Sequence, residues 1–314
     1  MIVGIESTAH TFGVGIVNNG KILANVKDGY TTESGGIVPM DAAKHHSEVA
    51  DEIYNKAIKG AGIKEKEIDA IAISNAPGLP PCLVEGMNFA KRKAEELKVP
   101  LIPVNHCVAH LEIGRITGAK DPVLLYASGK YRVFGETLDI GIGNFIDNFA
   151  RYAGIGFPGG PKIQELAVGG EYVELPYTIK GMDVAFSGML TNLKQKLDKG
   201  MKMKNLSFSL QETAFAMLVE SAERAMAHTG KNELLLGGGV GCNTRLQEMC
   251  KIMCEERGAK FFVPENQFLL DNGGMIAYLG EIMWEAGIFV KVEDLGDLYI
   301  DSRQRTDMVD VKWK

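Results

Sequence analysis

The chain has 314 residues, 46% hydrophobic and 24% charged, a globular composition long enough for two domains with real cores. A formal net charge of −6 excludes a uniformly basic nucleic-acid binder, so any contact with nucleic acid needs a local basic patch or a partner chain. No apolar run reaches the roughly 18 residues of a membrane span, and five cysteines without a C-x-x-C pair set the expectation of a reduced, cytoplasmic setting.

In chain order, MIVGIES reads as a first β-strand and not as a targeting segment. The turn STAHTFG and the strand VGIVNNGKILANV follow, and NNG at 18–20 marks a hairpin. AAKHHSEVADEIYNKAIKGAG has helical spacing and stops at glycine. The strand EIDAIAISNAPG, the helix PCLVEGMNFAKRKAEELKV and the strand PLIPVNH complete an α/β unit to about residue 118. A second cycle then begins. The strand DPVLLYASG runs into KYRVFGETLDIGIG, read as a hairpin arm, and NFIDNFARYAGIG is a helix. SLQETAFAMLVESAERAMAHTGK is a long helix, followed by the strand NELLLGGG, the helix CNTRLQEMCKIMCEERG, the strand AKFFVP and the late helix GGMIAYLGEIMWEAG. A hairpin followed by alternating strands and helices thus occurs twice, without an alignable repeat. The expected fold is α/β, with domains at 1–118 and 119–314 and a cleft between them.

Several stretches have the residue types for chemistry. In VNHCVAHLEIGR, His106 and His110 are four apart, so on a helix both imidazoles share one face and can share a metal. A structural pair explains the same spacing. A peptidase zinc motif needs Glu directly after the first histidine, and Cys107 stands there. His45 and His46, adjacent and so divergent, read as structural, and Cys250 and Cys254 as one buried helix face. The STAHTFG turn has N–H groups and hydroxyls of the kind that bind phosphate. Gly237, Gly238 and Gly239 end a buried strand at a helix start, where backbone either approaches a ligand or relieves crowding. FPGGPK reads as a rigid turn, and Asp271-Asn272 as residues suited to cap a helix.

Taken together, GIESTAHT, GGIVPMDAAKHH, VNHCVAHLEIG, RVFGETLDIGIGN, FPGGPKI, LPYTIKGMDVAFSG, QETAFAMLVE and DNGGMIAYLG resemble the TsaD/KEOPS catalytic subunit family, tRNA threonylcarbamoyl transferases, in its archaeal and eukaryotic branch. The phrases occur in order over nearly the whole chain, and no kinase domain follows the ending RTDMVDV, which sets the expectation of an unfused form. The resemblance implies two actin/hexokinase-like (ribonuclease-H-like, ASKHA) domains with nucleotide and metal in their cleft. It implies transfer of threonylcarbamoyl from threonylcarbamoyl-adenylate to N6 of adenosine 37 in ANN-decoding tRNAs. It implies a metal, iron or zinc, on His106, His110, Tyr126 and Asp271. It also implies an adenine nucleotide (threonylcarbamoyl-adenylate, or ATP or AMP in its place) on Ser128, Gly129, Asp147, Gly160, Gln164, Gly238 and Asn243. The implied partners are tRNA, a small KEOPS kinase, a dimerising subunit and an accessory subunit.

Three departures stand against that pattern. YASG runs straight into KYRVFGE, where the family's YVSGGNTQ and a short hairpin intervene, about a dozen residues that are either deleted from this protein or left out of its sequence. Each charge-assisted hydrogen bond lost at a phosphate would weaken binding by roughly 1–3 kcal/mol. Gln164 stands where the family has a glutamate, and APGLPPCLVE places Pro80 and Val84 where glycine and arginine are usual. These motivate an alternative: a nucleotide- and metal-binding scaffold subunit of the same complex without transfer activity.

Overall fold

The computed structural model describes residues 1–32, 36–125 and 133–313. The first sheet grows from β1 (Ile2–Glu6), every residue of which is buried, because strands covered on both faces carry near-continuous apolar runs. β2 (Thr11–Asn18) and β3 (Lys21–Gly29) extend it as an antiparallel meander. Asn19 and Gly20 turn the corner between them, both at positive φ (51° and 72°), as a two-residue hairpin turn requires. On the other side of β1, β4 (Ala70–Ala76) and β5 (Leu101–Asn105) add parallel strands, giving the order β3-β2-β1-β4-β5. Helices α1 (Pro39–Ala61) and α2 (Pro80–Leu97) each start with proline at the first turn, where its missing N–H costs nothing. They cover one face of the sheet, packing Ala50, Ile53, Tyr54, Phe89 and Ala90 against Val3, Ile5, Val14 and Ile71. The short helix α3 (His106–Glu112) follows β5 directly.

The chain then builds a second, wholly parallel sheet from β6 (Val123–Leu125), β9 (Glu233–Leu236) and β10 (Lys260–Phe262), in the order β10-β9-β6. Around it lie α4 (Ile142–Tyr152), α5 (Gly160–Leu166), the two-residue strands β7 (Ile179–Lys180) and β8 (Asp183–Val184), α6 (Ser187–Asp198) and α7 (Met203–Thr229). Next come β9, α8 (Thr244–Glu256) and β10. Phe145, Phe149, Phe186, Leu193, Leu210, Phe215, Leu236 and Cys250 share the core of this part.

Two expectations are corrected here. Among the described residues, 133–141 form no hairpin arm. Asp139 instead accepts hydrogen bonds from the N–H groups of Phe186 (2.9 Å) and Ser187 (2.8 Å) at the start of α6, and the strand pairing of the segment, among the described residues, is an isolated bridge from Thr137 to Val184. FPGGPK is not only a turn, since Gly160 and Pro161 open α5.

After β10 the chain returns to the first sheet through α9 (Asn266–Leu269) and α10 (Gly273–Glu285). Met275, Ile276, Leu279 and Met283 pack with Ile2, Ala72, Ile102 and Val104 on the sheet face opposite α1 and α2. The approach is backbone to backbone: a Cβ on Gly4 would lie 2.1 Å from the Ala277 nitrogen, and one on Gly15 2.2 Å from the Gly274 nitrogen. Leu295 is buried in the first core, and Val290 pairs with Leu101. The expected boundary at residue 118 takes no account of this return.

Candidate functional site

Three separated pieces of chain meet at the carboxyl ends of the parallel strands. α3 begins at His106 because Asn105, the last residue of β5, caps it by accepting from Val108 N–H at 3.1 Å. One turn later comes His110, and the two rings meet edge to face with centroids 4.7 Å apart. The third piece is Asp271, whose Oδ1 lies 3.4 Å from His106 Nε2 and 3.2 Å from His110 Nε2. The capping reading of 271–272 separates cleanly. Asn272 is the cap, accepting from Met275 N–H at 2.9 Å, and the Asp271 carboxylate is left for the histidines.

Nitrogen and oxygen atoms of His106, His110 and Asp271 lie within 4.8 Å of one another. Two imidazoles and a carboxylate suit a borderline transition-metal ion. The surrounding carboxylates make the pocket negative, so in the ion-free protein a proton competes for the place a cation would take. Burial disfavours a charged His106, but the Glu6 and Asp271 carboxylates outweigh it and hold its pKa well above the usual histidine value. Burial lowers His110. It would also raise Asp271, yet the two histidines hold that carboxyl well below its usual range.

Behind the histidines is a layer absent from the expected set. Glu6, fully buried at the end of β1, places Oε2 2.9 Å from His106 Nδ1. Its Oε1 accepts from Thr8 N–H (2.7 Å) and from the Thr8 hydroxyl (2.5 Å). The STAHTFG turn therefore spends N–H groups internally, since Ser7 N–H also donates to Ser74 Oγ. Lys27 donates to the Asp271 carbonyl at 3.0 Å, and burial lowers its pKa. The sequence signal for Glu6 is a carboxylate ending an otherwise apolar strand.

Four of the seven expected nucleotide residues lie close together. Asp147 on α4 accepts from Gly159 N–H at 2.8 Å, and burial raises its pKa against the N–H groups of Gly159 and Gly160. Gln164 on α5 accepts from Thr244 N–H at 3.2 Å. Asn243 caps α8 through Arg245 and Leu246 N–H groups and donates to Gln211 Oε1 at 2.6 Å. Gly238 has φ 82°, a conformation open in practice to glycine. Asp147, Gly160, Gln164 and Asn243 are thus linked through α4, α5 and the start of α8. Beside Asp147 lies a cavity of about 250 Å³, lined also by Asn144, Asn148, Arg151 and Phe157. His10 packs edge-on against Phe157 at 5.0 Å, so the turn that carries Glu6 and Thr8 also reaches the lining of this cavity. Tyr126, Ser128 and Gly129 lie outside the described residues.

Comparison with known proteins agrees with the motifs. The family model described as TsaD, tRNA N6-adenosine threonylcarbamoyltransferase, matches residues 21–278. A tRNA N6-adenosine threonylcarbamoyltransferase of Thermococcus kodakarensis is 52% identical over 324 aligned positions, covering 99% of both chains. A probable bifunctional tRNA threonylcarbamoyladenosine biosynthesis protein of Methanosarcina acetivorans is 49% identical, covering 99% of this chain, which spans 59% of that longer protein. Among solved structures, T. kodakarensis HypF superposes with a TM-score of 0.57 at 15% identity, over 94% of this chain and 49% of HypF. That likeness concerns the fold alone and fits the mixed α/β architecture. By the family model and the full-length relatives, the chain belongs to the TsaD family of tRNA N6-adenosine threonylcarbamoyltransferases.

Proposed function

We propose that this chain transfers a threonylcarbamoyl group from threonylcarbamoyl-adenylate to N6 of adenosine 37 in ANN-decoding tRNAs. The observation that carries the reading is the convergence of His106, His110 and Asp271 in a chain of this family. Those three residues, with Tyr126, would hold iron or zinc. A metal bound there supplies Lewis acidity toward the oxygens of the acyl donor. Asp147, Gly160, Gln164, Gly238 and Asn243, with Ser128 and Gly129, would hold the donor's adenylate, in a cleft between two actin-like units. Their work is orientation: fixing the carbamoyl carbon in line with the attacking amine removes much of the entropic barrier. The N6–C bond forms, the bond from that carbon to the phosphate oxygen breaks, AMP leaves with the electron pair, and the amine's proton passes to water. tRNA, the small kinase, the dimerising subunit and the accessory subunit of a KEOPS-type complex are the proposed partners, in the cytoplasm. No helix among the described residues is long and apolar enough to cross a membrane.

The test supplies threonylcarbamoyl-adenylate, tRNA and these partners, digests the tRNA and looks for the modified nucleoside. Its appearance supports transfer, and His110→Ala should abolish it while cutting bound metal at least tenfold by elemental analysis. Unchanged metal content in His110→Ala would refute the ligand assignment. The short segment after Gly129 and Gln164 in place of glutamate favour a second reading, the scaffold. Nucleotide binding without transfer, in a mixture that a relative can drive, would decide for it.

A further inference from the structure

We infer that Glu6 is a positioning residue that fixes which nitrogen of His106 faces the metal, an assignment that rests on the metal reading above. The argument is a proton count. The Thr8 hydroxyl donates to Glu6 Oε1 at 2.5 Å, so its hydrogen is committed. The same hydroxyl oxygen lies 3.2 Å from His106 Nδ1 and can only accept there. Glu6 Oε2, 2.9 Å from that nitrogen, is also an acceptor. With two acceptors facing it, Nδ1 carries a proton. Nε2, turned toward Asp271 and His110, is then the nitrogen a cation would take, in exchange for a proton shared with Asp271. Glu6 is fully buried and Thr8 nearly so, so water does not loosen the arrangement.

This predicts an inverted order of damage. In Glu6→Gln the amide oxygen stays with the two Thr8 donors, which turns the NH₂ toward His106 Nδ1. That nitrogen must now accept, and the ring proton moves to Nε2, where it blocks the metal. Glu6→Ala removes the acceptor and also frees the Thr8 hydroxyl hydrogen, so Nδ1 meets a group that either donates or accepts and neither tautomer is imposed. Glu6→Gln, though closer in shape to the natural side chain, should therefore bind metal more weakly than Glu6→Ala. A residue that merely fills space gives the opposite order.

The experiment titrates the metal-free full-length protein with zinc in competition with a chelating dye. It also records imidazole ¹⁵N and exchangeable proton spectra of the zinc-loaded forms. The expected result is zinc affinity about 10–100-fold lower in Glu6→Gln than in wild type, lower too than in Glu6→Ala. The downfield His106 Nδ1–H proton is expected in wild type and absent from Glu6→Gln. If Glu6→Ala does not fold, the comparison of wild type with Glu6→Gln and the Nδ1–H signal still decide. Glu6→Gln binding zinc within about threefold of wild type overturns the assignment of Glu6 alone. A wild type that takes up no zinc or iron overturns the metal reading beneath it.

Discussion

At His46, burial has a cost that pH can read out. The ring is fully buried on α1, and the Ala9 carbonyl oxygen 3.1 Å from its Nε2 can only accept, so Nε2 carries the proton. Burial, with nearby His45 adding to it, pushes its pKa down to about 4, against 6.5 for the free side chain. Above pH 6.5 neither state is charged and the group contributes nothing. Below it the unfolded chain takes a proton that the folded chain refuses, so stability is lost as pH falls from 6.5 toward 4. The loss amounts to about 2 kcal/mol between pH 6.5 and pH 5. Urea unfolding of wild type and His46→Gln across that range should show wild type losing about 2 kcal/mol more than the variant; parallel curves would refute the assignment. Legibility at this scale was uneven. The spacing of His106 and His110 was plain, Asp271 came only through the family resemblance, and Glu6 did not come at all, because Asp271 is 161 positions beyond His110 and Glu6 is 100 before His106. No local pattern encodes a contact between residues that far apart. The adjacent histidines His45 and His46 do diverge in environment, one beside Asp28 at the surface side and one buried.

At the scale of elements, α10 is seated by the absence of side chains. Gly4 and Gly15 let its backbone lie directly on β1 and β2, and Gly273 returns the contact. Gly15→Ala forces a methyl group against backbone, which cannot turn aside as a side chain can. It should cost about 2 kcal/mol or more and push the start of α10, with Asp271, away from the histidines. Calorimetry with metal analysis would check this: a variant with unchanged melting temperature and full metal content would refute the seating. The periodic elements were readable in advance, since α1, α2, α7, α8 and α10 have apolar faces and glycine or proline stops, and the NNG turn carries its own φ requirement. The segment 133–141 was misread because its apolar and charged residues mimic strand alternation. What holds it is Asp139 at the start of α6, a tertiary bond about 47 positions along the chain. The short helix α5 was hidden behind the turn signal of its own first residues.

Over the whole molecule, a bound metal would join α3 to the start of α10. Ligand held only by the folded state adds about 2.7 kcal/mol when free ligand is a hundredfold above its dissociation constant. Chelation should therefore lower the melting temperature of wild type and leave His110→Ala unmoved; equal shifts in both would show that the chelator acts elsewhere. The return of the chain also buries Leu295 in the first core, so Leu295→Ala should destabilise the protein by about 2–4 kcal/mol in urea titration. The general plan, strands alternating with helices in two cycles, was legible because it follows from periodicity. The re-entry of residues 266–313 was not, because nothing in a helix's own sequence names the sheet it will cover. That re-entry sets an order of events during synthesis. A nascent chain that has emerged only to β10 holds both histidines and Glu6 but no Asp271, and one face of its first sheet is bare. On the proposed metal reading, the site would not close until α10 has left the ribosome; an interrupted polypeptide would be metal-poor and sticky, and metal retention would report that translation ran past α10.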